Sequence, residues 1–384
     1  MVFGKGEKMS ATQKMLVHIC CSVDSHYFLS ELRKIYPQHE MVGYFYNPNI
    51  HPKSEYDLRL LDVERSCKML NIPLLEGEYE IKKWFVDIKG LENEPEKGER
   101  CVKCFDMRLE KTAQVAHKMN IESFTSTLLS SPLKEQQILY AEGDEIASRY
   151  GLDFIKVDVR SNGGTQAQSE LANKDRLYKQ TYCGCQYALI KQRDSQKQIA
   201  LELMSNIGRQ IAPGSNEQRK RVFEIRDECE AQGREYALYK QSKIVRRNLR
   251  SVCIDGDKVI SSYVITHSRG KNMVKTAAIT YIKQNVKDIH SQTQSIQMGY
   301  AKRDDSVFIS IQTLNLLLKT SYANTQEMVY NPPLYEDELM LRGLLCGADS
   351  LNPIIVIDSH IERSLKLFID AYFQESSIFA IATY

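Results

Sequence analysis

Short apolar runs alternate with stretches of helical spacing along the first half of the chain. The apolar run Met15–Ile19 is followed by Ser25–Tyr36, whose apolar residues recur every three or four positions. The alternation continues through the predicted strands Met41–Tyr46, Asn71–Leu75, Phe124–Leu128 and Phe154–Val159 and the predicted helices Ser54–Leu70, Cys101–Met119 and Lys134–Tyr150. Such alternation is typical of a parallel sheet with helices on both faces, so an α/β fold is predicted for this half.

The pattern changes near residue 200. The pair Pro213-Gly214 predicts a break between two helical patterns. The charged stretch Glu217–Arg250 after it predicts one long helix. After Ser251, short apolar runs around the turn pair Asp255-Gly256 predict a hairpin and a mixed α+β domain. We therefore expect a flexible lead over 1–14, an α/β domain over 15–198, and an extension over 199–384 that contains a basic helix at 217–250.

Composition excludes several classes of protein. The 384 residues carry 51 basic and 49 acidic side chains, so binding of nucleic acid must depend on local basic patches. No apolar run approaches the roughly 20 residues that span a bilayer, so no membrane association is expected. The N-terminus lacks an apolar signal segment, which predicts a cytoplasmic, reducing environment where structural disulfides are rare.

Six of the ten cysteines form three close pairs before residue 190. In a reducing compartment, paired cysteines indicate metal binding or a redox-active dithiol more than unrelated buried thiols. Asp24, near the start of a predicted helix, adds a carboxylate. The seven candidate ligands are Cys20, Cys21, Asp24, Cys101, Cys104, Cys183 and Cys185. One [4Fe–4S] cluster uses up to four thiolates, so the surplus indicates a second metal, a dithiol or an open coordination site, with zinc as the competing metal.

Two other polar positions are candidate catalytic residues. His51 lies in the turn-rich segment Asn47–Pro52 and could donate a proton. Tyr182 directly precedes Cys183 and could contact a base. The sequence pattern alone is equally consistent with non-catalytic roles, namely a histidine in a surface loop and an ordinary half-buried tyrosine.

Several segments together resemble a known family. They are LVHICCSVDS, YFYNPNIHPKSEYDLR, EPEKGERCVKCFDMRL, TSTLLSSPLK, VDVR and YKQTYCGCQ. In this order they resemble the QueH-type epoxyqueuosine reductases over about residues 15–190. The resemblance implies that 15–198 is the catalytic domain, and it does not extend to the second half, whose function stays unknown.

The resemblance implies a HUP-like (adenine nucleotide α-hydrolase-like) fold and the last step of queuosine synthesis, in which epoxyqueuosine at the tRNA wobble position loses its epoxide oxygen. It also implies a [4Fe–4S] cluster with an additional mononuclear iron, an external electron donor, and the seven candidate ligands at the motif positions. Many members have cysteine where this chain has Asp24. Asp24, His51 and Tyr182 are then candidates for contacts near the reacting ring.

Two basic runs in the second half are candidate contacts to tRNA phosphates. One is Lys240, Lys243, Arg246, Arg247 and Arg250, and the other is Arg219, Lys220 and Arg221. The alternative is an ordinary solvated helix face.

Two competing functions stay open at this point. The segment from Cys20 to Ser25 resembles the S-G-G-x-D-S phosphate loop of tRNA-thiolating PP-loop enzymes, although both glycines are replaced. A zinc-binding tRNA scaffold would use the same cysteines without catalysis.

Overall fold

A computed structural model of the chain describes residues 13–132, 135–204, 210–302 and 304–384. Positions 1–12 of the predicted lead lie outside the described residues. Its last two residues, 13 and 14, belong to the first strand. The described residues divide into two compact units. The first comprises those within Met1–Leu203, Lys220–Leu238 and Thr383–Tyr384, and the second those within Met204–Arg219 and Tyr239–Ala382.

The first unit is built on a five-stranded parallel sheet. Its elements are β1 (Gln13–Ile19), α1 (Ser22–Ile35), β2 (His39–Phe45), α2 (Lys53–Leu70), β3 (Leu74–Glu76), α3 (Ile81–Asp87), α4 (Glu99–Lys118), β4 (Ser123–Ser126), α5 (Gln136–Tyr150), β5 (Asp153–Phe154), α6 (Gly164–Lys174), α7 (Gln186–Ser195) and, from Lys220 onward, α8 (Asn216–Gln232). Short 3₁₀ helices occupy Thr127–Ser130 and Leu201–Leu203. The strand order is β3-β2-β1-β4-β5, and all four pairs are parallel.

Two groups of helices flank this sheet. α1 packs with α2 and α6, while α4 packs on β1 and β4 together with α5. The central strand β1 is buried from Met15 to Ile19 without alternation, because helices cover both of its faces. The predicted α/β fold is confirmed.

The strand order reverses between β1 and β4. In a doubly wound sheet, the connections from the two strands on either side of such a point leave in opposite directions and open a crevice at the carboxyl ends of the strands. The chain beyond Ile19 and the chain beyond Ser126 both emerge at this crevice.

Two sheets and three complete helices lie within the described residues of the second unit. Its elements are β6 (Tyr236–Asp255), β7 (Lys258–Ile260), β8 (Ser262–Val264), β9 (Lys271–Lys275), β10 (Ile279–Lys287), β11 (Thr293–Ala301), β12 (Val307–Ser310), α9 (Ile311–Leu318), α10 (Thr325–Tyr330), α11 (Tyr335–Cys346), β13 (Ile354–Ile357) and β14 (Lys366–Thr383). One sheet has the order β10-β11-β12-β13-β8 and the other β7-β6-β14-β9. The pair β12–β13 is parallel, whereas β10–β11, β11–β12, β13–β8, β14–β9 and β6–β7 are antiparallel. The mixed α+β class is confirmed.

The predicted basic helix at 217–250 is wrong in its second half. α8 ends at Gln232, where Gly233 adopts a positive φ of 63°. Residues 236–255 then form the long strand β6, which is rich in aromatic and β-branched side chains. The charged residues of this stretch happen to be spaced three or four apart, which imitates a helix face.

The two compact units also differ from the predicted domain boundary at residue 198, because the segment Lys220–Leu238 belongs to the first unit. Within the described residues, no helix is both long enough and apolar enough to cross a bilayer.

Candidate metal centre

A cavity of about 330 Å³ opens at the crevice between β1 and β4, in the first unit. All three cysteine pairs reach it from different segments of the chain, and so does the predicted carboxylate. The lining includes Cys20, Cys21, Asp24, Cys101, Cys104, Cys183 and Cys185. The structure therefore brings the seven candidate ligands to one place.

The first group consists of Cys20, Cys21 and Asp24, whose ligand atoms lie within 4.8 Å of one another. The Cys20 thiol lies 3.8 Å from the Cys21 sulfur and 3.3 Å from Asp24 Oδ2. The hydrogen bond with Cys20 and then burial raise the pKa of Cys21 well above its usual value, and the Asp24 charge adds to this shift. A bound cation would relieve this mutual repulsion, so two sulfurs and a carboxylate can hold one metal ion.

Each ligand of this group receives a hydrogen bond from a neighbouring segment. The donors are Thr127 Oγ1 to Cys20 Sγ (3.2 Å), Gln180 Nε2 to Cys21 Sγ (3.0 Å) and Gln168 Nε2 to Asp24 Oδ1 (2.7 Å). Such outer contacts fix the orientation of metal ligands. Sequence analysis missed Thr127 and Gln168, because each lies more than 100 residues away from its partner in the chain.

The second group contains the four cysteines of the C-x-x-C and C-G-C motifs. Cys101 and Cys104 lie in the first two turns of α4, and the Lys97 backbone N–H donates to Cys101 Sγ (3.3 Å). Cys185 precedes the first residue of α7, and burial followed by the nearby Cys183 raises its pKa to about 11. The amino ends of both helices favour negative charge, which suits thiolate ligands.

Gly184 allows the C-G-C segment its tight bend. Its φ is 104°, and a Cβ added here would lie 2.8 Å from Ile50 Cγ1. The Arg59 guanidinium then fixes the segment by donating to the carbonyl oxygens of Tyr182 (2.8 Å) and Cys183 (3.2 Å).

Three arginines, Arg59, Arg100 and Arg108, also line the cavity. Arg100 is 1% exposed, and its Nη1 donates to backbone carbonyls of the loop before α4. Its Nε and Nη2 are buried and make no hydrogen bond to the described residues. These cations can offset the charge of thiolate ligands, and the two N–H groups of Arg100 that make no hydrogen bond can donate to a sulfur-rich anion.

The two candidate catalytic residues differ in position. Tyr182 lines the cavity, and its hydroxyl donates to the His51 carbonyl (2.6 Å), which connects the C-G-C segment to the loop after β2. The His51 ring packs edge-on against Phe85 and is outside the described lining. Burial lowers the pKa of His51.

Comparison with known proteins yields consistent matches. The family model for epoxyqueuosine reductase QueH matches residues 15–191. The epoxyqueuosine reductase QueH of Helicobacter pylori is 40% identical over 374 residues, which cover 95% of this chain and 99% of that protein. The chain belongs to the QueH family. The resemblance found in the sequence is thus confirmed, and the tRNA-thiolating alternative is not favoured.

A second QueH relative, from Thermotoga maritima, is 34% identical over 189 residues, covering 48% of this chain and 95% of that protein. QueH proteins therefore exist with only about half of the present length. Among solved structures, the U34-tRNA thiolase NcsA from Methanococcus maripaludis, described with its [4Fe-4S] cluster, aligns with a TM-score of 0.33 and 14% identity over 47% of this chain and 62% of its own. By its family, the chain is an oxidoreductase.

Proposed function

We propose that this chain reduces epoxyqueuosine at the wobble position of tRNA to queuosine. The convergence of seven metal-ligating side chains on one cavity carries the proposal, together with the name shared by the QueH relatives. In this reaction both C–O bonds of the epoxide break, a carbon–carbon double bond forms, and the oxygen leaves as water. The balance requires two electrons and two protons, so an external electron donor is part of the proposal. A tRNA substrate and reducing conditions are consistent with a cytoplasmic enzyme.

The donor set fits two metal groups. Cys101, Cys104, Cys183 and Cys185 would hold a [4Fe–4S] cluster, since they supply the four thiolates that such a cluster uses. Cys20, Cys21 and Asp24 would hold a separate iron and leave part of its coordination open. When bound, these groups supply the electrons and a Lewis-acidic centre for the epoxide oxygen.

The chain's own residues prepare the cavity for this chemistry. Gln168, Gln180 and Thr127 orient the ligands of the first group through their hydrogen bonds. The buried Arg100 offsets negative charge beside the second group. The Tyr182–His51 hydrogen bond keeps two lining segments together, which helps to preserve the shape of the cavity for a substituted five-membered ring.

An anaerobic assay tests the proposal directly. Metal-loaded protein, a chemical reductant and tRNA carrying epoxyqueuosine should give queuosine, detected by mass spectrometry of the nucleosides. Cys101→Ser should abolish the product and the visible absorbance of the cluster. Cys67→Ser is the matched control, because Cys67 is a buried thiol of the same unit outside the lining. Unchanged epoxyqueuosine with fully loaded wild-type protein would contradict the proposal, and a colourless, zinc-loaded active protein would contradict the iron assignment.

A further inference from the structure

A second cavity, of about 160 Å³, lies entirely within the second unit. Strand β6 contributes Arg246 and Arg247 to its lining, and the neighbouring strand β14 contributes Tyr372 and Phe373. The segment before β9 adds Arg269. Three guanidinium groups and two aromatic rings thus surround a space that the cysteine chemistry does not use.

The arginines in and near this cavity differ in whether they form a salt bridge with an acidic side chain. Arg250 pairs with Asp370 (3.1 Å) and Arg269 with Asp305 (2.5 Å). Arg246 and Arg247, in contrast, make no hydrogen bond or salt bridge within the part of the chain that the structure describes, and Nη1 of Arg247 is buried. Glu338 interacts electrostatically with Arg247 without forming a salt bridge to it. Adjacent guanidinium groups that lack a direct salt bridge in a partly buried cavity favour the binding of an anion.

The surroundings strengthen the positive potential. From Tyr236 to Ile254, β6 carries five basic side chains and no acidic one. His267, which also lines the cavity, has its pKa lowered to about 4 by burial and then by the charges of Arg342 and Arg246. His267 is therefore neutral near pH 7, and the positive charge at the cavity comes from the arginines and the basic side chains of β6.

An exposed aromatic ring lies beside these cations. Phe373 is 70% exposed, although it is a large apolar side chain at the cavity. Proteins that bind single-stranded nucleic acid combine arginines for the phosphate with aromatic rings on which a base stacks. The cavity has room for a phosphate group, while the base would lie outside on the ring.

We propose that this cavity is a nucleotide subsite for the tRNA, in which Arg246 and Arg247 bind one backbone phosphate and Phe373 stacks on an unpaired base. The inference rests on the proposed function, because that function makes tRNA the substrate. It gives the second unit a role in holding RNA. Phosphate ester and aromatic base could equally come from a free nucleotide, so the experiment separates these sources.

Binding of the full-length protein to an unmodified tRNA transcript, measured over a range of salt concentrations, tests the subsite. Arg246→Gln combined with Arg247→Gln should weaken binding at least about tenfold near physiological salt and reduce the salt slope by about 1. Phe373→Ala should weaken binding about fivefold or more with an unchanged slope, and Phe373→Tyr should bind as the wild type does. Lys283→Gln is the charge control, since Lys283 is exposed on the other sheet of this unit.

Two single substitutions, Arg246→Gln and Phe373→Ala, decide the outcome. The inference would be overturned if both variants bound tRNA with the affinity and the salt slope of the wild type. Titration with AMP separates the alternatives: saturable AMP binding that the arginine changes abolish, with tRNA affinity unchanged, would assign the cavity to a free nucleotide instead. In the reductase assay, the variants should raise KM for tRNA and leave kcat unchanged. Weakened tRNA binding without any reductase activity in the wild type would overturn the proposed function and leave the subsite standing.

Discussion

Arg226 of α8 forms a fully buried salt bridge with Asp62 of α2, with 2.6 Å between Nη1 and Oδ1. Asp62 also accepts hydrogen bonds from the Ser22 hydroxyl and from the backbone N–H of Tyr178 (2.8 Å). Ser22 directly follows Cys21, and Tyr178 lies two residues before the ligand-contacting Gln180. A helix from beyond the family-matched segment thus stabilises the two segments that shape the first metal-ligand group.

Arg226→Met should lower the free energy of unfolding by about 3–5 kcal/mol, because it leaves the Asp62 carboxylate buried without its charged partner. Urea unfolding followed by circular dichroism measures this change. Arg221→Met on the same helix is the control: the Arg221 side chain is 57% exposed and its nearest carboxylate lies 3.6 Å away, so a change within about 0.5 kcal/mol is expected. Equal effects of the two substitutions would contradict a special role of the buried pair.

Gln168→Leu should weaken binding of the separate iron by about 10- to 100-fold, because Asp24 loses the amide that orients it. The four irons of the cluster should be retained. Iron content after exposure to a chelator, together with Mössbauer spectra, separates the two metal groups. Gln166 is exposed on the same helix, so the control variant Gln166→Leu should retain all iron. Full retention of iron in Gln168→Leu would show that the Gln168 amide has no role.

Gly184→Ala should destabilise the first unit and impair cluster assembly, because the new Cβ would meet Ile50 at 2.8 Å and the positive φ disfavours alanine. Gly90→Ala is a matched control with φ of 90° and nothing within 4 Å of the added carbon. It should cost only the backbone term, about 1–2 kcal/mol. Thermal unfolding and cluster absorbance provide the two measurements, and normal cluster content in Gly184→Ala would refute the expected clash.

Glu338 should make the second unit less stable as the pH rises from about 4.5 to about 7. Burial raises its pKa to about 7, although hydrogen bonds from Tyr263, Thr266 and Gln210 partly oppose the shift. Between these pH values the folded state holds a proton that the unfolded chain has lost, so the free energy of unfolding falls by up to about 1.4 kcal/mol per pH unit.

Urea unfolding at several pH values, compared between the wild type and Glu338→Gln, isolates this contribution. The substitution should remove the decline that Glu338 causes and leave the contributions of other groups in place. Identical pH profiles for the two proteins would show that Glu338 titrates alike in the folded and unfolded states.

The sequence determined the α/β class, the seven candidate ligands and the family. Apolar runs such as Met15–Ile19 and their alternation with helices are local patterns, and the spacing of the cysteine pairs can be read without a structure. Thiols and carboxylates are typical metal ligands, so the candidate ligand set could be predicted from the sequence alone.

Only the tertiary structure decided how these residues are grouped and supported. Cys20, Cys21 and Asp24 separate from the other four cysteines because they follow β1, whereas the others arrive on α4 and before α7. The contacts from Gln168 and Thr127 depend on the strand order, which brings distant segments to one crevice.

In the stretch after Gly233, the local sequence pattern predicts the wrong secondary structure. The charges of this stretch repeat at a helical interval, yet the stretch forms β6, because pairing in a sheet with β14 and β7 outweighs weak local preferences. The same pairing brings Arg246 and Phe373 to one cavity, although 126 positions separate them in the sequence. Local patterns determine which chemistry a chain carries, while long-range packing decides which of those groups meet.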